Sequence, residues 1–354
     1  MAIAAWLRGQ PAVLVANPTA HSGSASEWIK TARALLDEAK VPHRFEPTQP
    51  DGKTTQVVRD LIDKDGTRVV IYMGGDGTFA EVAKGILASR HAPEVAMGML
   101  PTGTANDQGK SFGLQAGPGA LPRNVAVIAA SVTVGCDVGI LEVEKDREEI
   151  HHDLFFDSFS VGLGAACLET RNRDREIVGK IPLLGAIYRD QMVYAGAVLR
   201  RFAESYVTDV KFDLEVVVDG HHHDLGHVLD VIIKNTKIFG GEWVFDPVAE
   251  SDDGRFELVP ITGRRDFGTK LLGTLRHSPV GLDELSQIGL EHSAPIIGSR
   301  FELVVRSGSP SAQCDGEELP KGDRYRVQCV PRALRLIVPR EEVEPSAASS
   351  LPNL

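Results

Sequence analysis

Short apolar runs and amphipathic stretches alternate along the first third of the chain. The runs Ala12-Val13-Leu14-Val15-Ala16, Val69-Val70-Ile71-Tyr72-Met73 and Ala96-Met97-Gly98-Met99-Leu100 read as strands, and the more polar 43–46 as a short one. Between them Trp28, Ala32, Leu35, Leu36 and Ala39 recur at helical spacing, which predicts a helix over 27–40. A second amphipathic helix is predicted over 51–64, opened by turn residues, and a third follows the Val69 strand as far as 90. This β-α-β-α-β-α-β rhythm predicts a Rossmann-like parallel α/β domain over 1–132, its sheet covered by helices on both faces.

Past a helix pattern that ends near 132 the rhythm changes. Residues 134–144 and 154–161 read as strands around a charged turn at 145–153. Further strands are predicted at 210–219, 228–234, 256–261, 301–305, 324–329 and 334–338, with one helix at 267–276. Such a series predicts a C-terminal β-sandwich domain over 133–339. The last strand, 333–339, could return to the first domain. Residues 340–354, rich in Glu, Ser, Ala and Pro, read as a disordered tail.

The Val69 strand runs directly into Gly74-Gly75-Asp76-Gly77-Thr78-Phe79-Ala80 and then into a helix. Three glycines in four residues let a ligand approach the backbone closely. The free N–H groups and dipole of a helix N-terminus favour phosphate. Asp76 in their midst calls for a cation between carboxylate and phosphate, so the stretch reads as a nucleotide–Mg²⁺ site. Ligands of parallel α/β sheets bind at the carboxyl ends of the strands, and three polar loops fall there. They are Asn17-Pro18-Thr19, Gly74 to Thr78, and Pro101-Thr102-Gly103-Thr104-Ala105-Asn106-Asp107.

The pair Gly74-Gly75-Asp76-Gly77-Thr78 and Gly103-Thr104-Ala105-Asn106-Asp107 resembles the diacylglycerol kinase catalytic-domain family, which includes bacterial lipid kinases and is related to the sphingosine kinases. The resemblance runs from about Pro11 to Pro339. It implies a sandwich across a cleft from the α/β domain, with ATP and Mg²⁺ as cofactors. It implies nucleotide contacts at Asn17, Pro18, Thr19, Thr48, Gly74, Gly75, Asp76, Gly77, Thr78, Phe79, Ala80 and Thr104. Asp76, Asp107 and Asp137 match acidic positions that hold a water-bridged Mg²⁺. Glu317, in the turn Asp315-Gly316-Glu317, matches the catalytic carboxylate, with Asp76 as its partner in the chemistry. The Ser251-Asp252-Asp253-Gly254-Arg255 stretch resembles a structural metal loop, with the Asp253 carboxylate and the carbonyls of Glu250 and Arg255 as ligands for Mg²⁺ or Ca²⁺; a hairpin turn without an ion is the other reading. One departure stands out: the family carries Asn where this chain has Ala80, which removes a side-chain contact and leaves backbone contacts available.

Other patterns carry less. Thr104 to Ser111 approaches a P-loop but lacks its first glycine, and Gly162-Leu163-Gly164 lacks the third small residue and the strand–helix context of a dinucleotide fingerprint. His151-His152 and His221-His222-His223 fall in charged stretches that read as solvated turns. Cys136, Cys167, Cys314 and Cys329 lack metal-ligand spacing and read as free thiols of a reducing, cytoplasmic setting.

The net charge of -11 and a pI near 5.5 disfavour nucleic acid. No apolar run reaches the roughly 18–20 residues of a membrane span, and the N-terminus shows no signal-peptide pattern. Against this acidic background the segment from Arg171 to Arg201 is basic, which suits either a solvated helix or transient contact with anionic headgroups. The expected function is therefore an ATP-dependent lipid kinase acting at a membrane surface, diacylglycerol being the first acceptor considered. A sphingoid base, ceramide or other lipid is an alternative acceptor. An NAD kinase-like enzyme and a non-catalytic nucleotide sensor are the rival readings, and a homodimer is left open.

Overall fold

The computed structural model describes residues 4–169, 211–239, 243–244, 250–273 and 293–342. The chain divides into two compact units, Met1–Asp137 with Pro331–Leu354, and Val138–Val330.

In the first unit, β1 (Ala12–Ala16), β2 (His43–Pro47), β3 (Val69–Gly74) and β4 (Ala96–Pro101) form a parallel sheet in the order β2-β1-β3-β4. A late strand, whose Leu336 pairs with Met97, joins the sheet beside β4. β1, β3 and β4 are short continuous apolar runs because both faces are covered, whereas β2, at the edge, is half-buried throughout. Leu14, Ile71, Met73 and Leu100 share one core with Ile29, Ala32 and Leu36 of the helix Ala25–Glu38 and with Leu121, Val125 and Ile128 of the helix Leu121–Ala130. A second helix pair, Thr54–Asp63 and Asp76–Leu87, packs at close range. A Cβ on Gly85 would meet the Thr55 carbonyl and the Val58 Cβ at 2.7 Å each, so only glycine allows that approach.

Among the described residues, the second unit holds two large antiparallel sheets and a two-stranded ribbon of β11 (Ile238–Phe239) and β12 (Trp243–Val244). One contains β8 (Phe212–Val218), β9 (His221–Val228), β15 (Arg300–Val305) and the first half of β18 (Arg324–Ile337), with β5 (Thr133–Lys145) paired to β6 (Glu148–Phe155). The other runs in the order β14 (Ile296–Gly298), β13 (Phe256–Ile261), β10 (Asp230–Lys234), β7 (Ser158–Gly162), β16 (Ala312–Cys314), β17 (Glu317–Leu319). Alternate residues of both sheets, among them Val216, Leu303 and Val327 from one and Phe159, Ile233 and Leu258 from the other, form a single apolar core. The architecture is thus a parallel α/β unit and an antiparallel β unit.

Two readings of the sequence are corrected. His151, His152 and His221 to His223 lie on strands, not in turns. Asp146 and Arg147 suffice for the first turn, both at positive φ, and Asp219 with Gly220 for the second. The charged residues around them therefore pair across the hairpins at a solvated edge. The helix expected at 267–276 spans Arg264–Gly273. All four cysteines are buried thiols outside any disulfide. Among the described residues no helix is long and apolar enough to cross a membrane.

Candidate functional site

β3 ends at Gly74, and Gly75, in extended conformation, stands immediately before the helix that opens with Asp76. A Cβ on Gly74 would meet Thr78 Oγ1 at 2.6 Å, whereas one on Gly77 would meet nothing within 4 Å. The open side of this turn is at Gly77, and that is where the backbone leaves room for a ligand. Phe79 is not part of the open face: its N–H donates to the Gly75 carbonyl, and its buried ring stands edge-on to Tyr72 at 5.4 Å. The Phe79 ring thus serves the core.

The second loop is built onto the first. The N–H groups of Thr102 and Gly103 both donate to the Gly74 carbonyl, at 2.8 and 3.1 Å. Asn106 adopts φ 58°, and its side chain clasps Gly103, accepting from the N–H at 2.8 Å and donating to the carbonyl at 2.7 Å. Asp76 completes the connection: Oδ2 accepts the Asn106 N–H at 2.8 Å, and Oδ1 the Gln108 N–H at 3.4 Å. A carboxylate facing the first N–H groups of a short helix satisfies donors that have no intrahelical partner. Asn106 stands in the motif as a turn former, its backbone in the left-handed region that Asn tolerates.

The remaining nucleotide-loop residues lie as follows. Asn17 and Thr19 are exposed after β1, where Asn17 Oδ1 accepts both the N–H and the hydroxyl of Thr19 at 2.9 and 2.8 Å; Pro18 lies between them. Thr48 follows β2, its N–H donating to the Ala16 carbonyl at 3.0 Å. Thr104 is exposed and Ala80 partly so. Asp107 is nearly buried, and Asp137 is fully buried with its Oδ1 accepting the Arg332 N–H at 2.7 Å. Asp76, Asp107 and Asp137 do not form a direct-ligand cluster. Among the described residues, the set of three such side chains with ligand atoms within 4.8 Å of one another is Glu142, Glu149 and His152, on the β5–β6 hairpin. Mg²⁺ usually keeps several waters, so carboxylates that are not clustered as direct ligands would hold it through water.

In the second unit, Asp315 and Gly316 connect β16 to β17 with φ of 47° and 82°. Two consecutive positive φ values make the two-residue hairpin turn that Asp-Gly favours. The Asp315 carboxylate accepts three backbone N–H groups, from Phe156 and Asp157 at 2.8 Å and Ser158 at 3.0 Å. Burial, with the charge of Asp157 adding to it, raises Asp315 to about 7 against the pull of those donors. Glu317 follows, exposed and opposite Cys314, while Glu318 pairs with Gln313 on the other face. Beside the turn lies a buried polar group that the sequence did not reveal. Asp157 accepts from the Ser158 and Thr236 hydroxyls and lies 3.9 Å from the buried Lys234 ammonium, and Asn235 donates to the Phe156 carbonyl at 2.7 Å.

The loop before β13 is a turn in which Asp253 Oδ1 accepts the Arg255 N–H at 2.9 Å, with Glu250, Asp253 and Arg255 exposed. The basic segment from Arg171 to Arg201 lies outside the described residues.

With this geometry in hand, the comparisons are specific. Residues 11–140, which contain both glycine loops, match the family model described as the diacylglycerol kinase catalytic domain. Over this segment the chain is similar to the diacylglycerol kinase catalytic-domain family. Its class of enzyme is lipid kinase. Over 319 residues it is 26% identical to a "Probable lipid kinase YegS-like" of Pseudomonas aeruginosa (strain PAO1), covering 89% of this chain and 91% of that protein. It is 23% identical to a "Diacylglycerol kinase" of Staphylococcus haemolyticus, covering 73% of this chain and 82% of the other. A crystal structure of a diacylglycerol kinase from Bacillus anthracis str. Sterne shares the fold, with a TM-score of 0.65 at 16% identity over 94% of this chain and 97% of that one.

Proposed function

We propose that the chain transfers the γ-phosphoryl group of ATP to a hydroxyl of a membrane lipid, with diacylglycerol the leading acceptor. The observation that carries the reading is the joining of the two glycine loops through Asp76 and Asn106, beside open space at Gly77. In the transfer, the acceptor oxygen forms a bond to the γ-phosphorus, the bond from that phosphorus to the β-phosphate oxygen breaks, and the hydroxyl proton must leave. Glu317 is the group assigned to take it, an exposed carboxylate held by a rigid hairpin. Gly75, Gly77 and Thr78 offer backbone N–H groups to the phosphates, and Asn17, Thr19, Thr48 and Thr104 border the nucleotide. Mg²⁺, held through water by Asp76, Asp107 and Asp137, would supply charge neutralisation at the phosphoryl oxygens. Membrane contact through the basic segment from Arg171 to Arg201 is part of this proposal.

The test is labelled ATP with mixed micelles of diacylglycerol, ceramide, sphingosine and a glycosyl diacylglycerol, run on the parent and on Glu317→Gln. One lipid class should acquire label. The variant, equal in shape but not basic, should lose at least about a hundredfold in kcat with ATP affinity nearly unchanged. Absence of label in every lipid would sink the kinase reading, and parental turnover by Glu317→Gln would remove Glu317 as the base.

A further inference from the structure

The hairpin that carries Glu317 is tied down by a side chain that the proposed reaction does not itself use. Gln313, on β16, is only 4% exposed. Its Oε1 accepts the Gly316 N–H at 2.8 Å, and its Nε2 donates to Ser160 Oγ at 3.0 Å. Ser160 is fully buried on β7 and stands directly opposite Gln313 in the strand register. The side chain is thus a strut from the middle of the sheet to the residue immediately before Glu317.

An Asp-Gly pair at two positive φ values closes a hairpin without such help. A buried amide also costs stability unless both its ends are bonded, so an apolar side chain would serve packing alone at least as well. What the amide adds is a fixed bond to a turn N–H that the hairpin leaves over. Asp315 restrains the other turn residue, its carboxylate facing 156–158 and its own N–H donating to the Ser158 carbonyl at 2.9 Å. With Asp315 tied to β7 directly and Gly316 tied to it through Gln313, the strand that begins at Glu317 starts from one defined point. We propose that Gln313 is a positioning residue for phosphoryl transfer, holding Gly316 so that the Glu317 carboxylate meets the acceptor hydroxyl in a single orientation. This rests on Glu317 being the base.

The experiment is a double-mutant cycle with the same micelle panel, labelled ATP, and amide hydrogen exchange over 313–319. Gln313→Met keeps the length and removes both bonds. It should lower kcat by about 10- to 100-fold, the range a small misplacement of a catalytic group produces, leave the KM for ATP unchanged, and speed exchange at Gly316. Gln313→Glu keeps an acceptor for Gly316 and for the Ser160 hydroxyl, and should recover most of the rate. In the Glu317→Gln background, Gln313→Met should cost nothing further in kcat, because the group it aims is already gone. A full additional loss in that background would show a general structural role and overturn the proposal, as would parental kcat in Gln313→Met alone. If Glu317→Gln by itself keeps parental kcat, the base assignment fails in its own arm and the proposal falls with it. Should Gln313→Met not fold, Gln313→Asn, too short to reach both partners, carries the same arms.

Discussion

Gly103 lies against Gly75 so closely that a Cβ on Gly103 would stand 2.3 Å from the Gly75 Cα. The two loops are therefore one structural piece, joined backbone to backbone and secured by Asp76 and Asn106. The glycines of these loops divide into those that face packed atoms and Gly77, which faces open space, and substitution separates them.

Gly103→Ala should force the loops apart. The expected cost is about 1–3 kcal/mol from overpacking, with ATP binding lost as well. Gly75→Ala, whose Cβ would meet the Gly103 Cα at 3.3 Å, should cost less. Gly77→Ala meets nothing and should leave the melting temperature at the parental value while weakening ATP binding. Thermal melts with and without ATP check the series; an unchanged ATP affinity in Gly77→Ala would place the phosphates elsewhere.

The Asp253 turn is self-supporting through its bond to the Arg255 N–H, so its side chain has a structural use with or without an ion. If the loop holds Mg²⁺ or Ca²⁺ through Asp253 and the carbonyls of Glu250 and Arg255, the cation raises the melting temperature by mass action. Asp253→Ala should then abolish that rise. An equal rise in parent and variant, titrated with each cation, would leave the loop a turn only.

Asp230 is buried at the start of β10, where its Oδ2 accepts the Gly164 N–H at 2.5 Å. Burial outweighs that bond and one from the Val231 N–H, raising the carboxyl to about 8. Between about pH 4 and pH 8 the folded chain keeps this proton while the unfolded chain releases it. Stability contributed at Asp230 is thus present at low pH and falls as pH rises, by up to about 1.4 kcal/mol per pH unit. Asp230→Asn should match the parent near pH 5 and be the more stable of the two near pH 9. Parallel melting curves across that range would contradict it.

Much of the fold was legible because its signals are local. Continuous apolar runs such as Val69 to Met73 mark strands covered on both faces, and Gly74 to Gly77 announce a strand–turn–helix junction. Asp315-Gly316 likewise names its own turn. The histidines misled because a polar strand at a solvated edge and a charged turn have the same composition; only the pairing of His222 with Val217 and of His152 with Glu142 distinguishes them.

The use of each polar side chain was decided in three dimensions. Asp76 reaches across 30 residues to the Asn106 N–H, and Asp315 across more than 150 to Phe156, Asp157 and Ser158. Gln313 reads in the sequence as one polar residue of a strand, yet it bonds Ser160 from 153 positions away. A residue's type and its neighbours in sequence set which backbone conformations it favours, and those were readable. Which donor a buried carboxylate or amide finally meets depends on how distant strands are brought into register, and packing alone determines that.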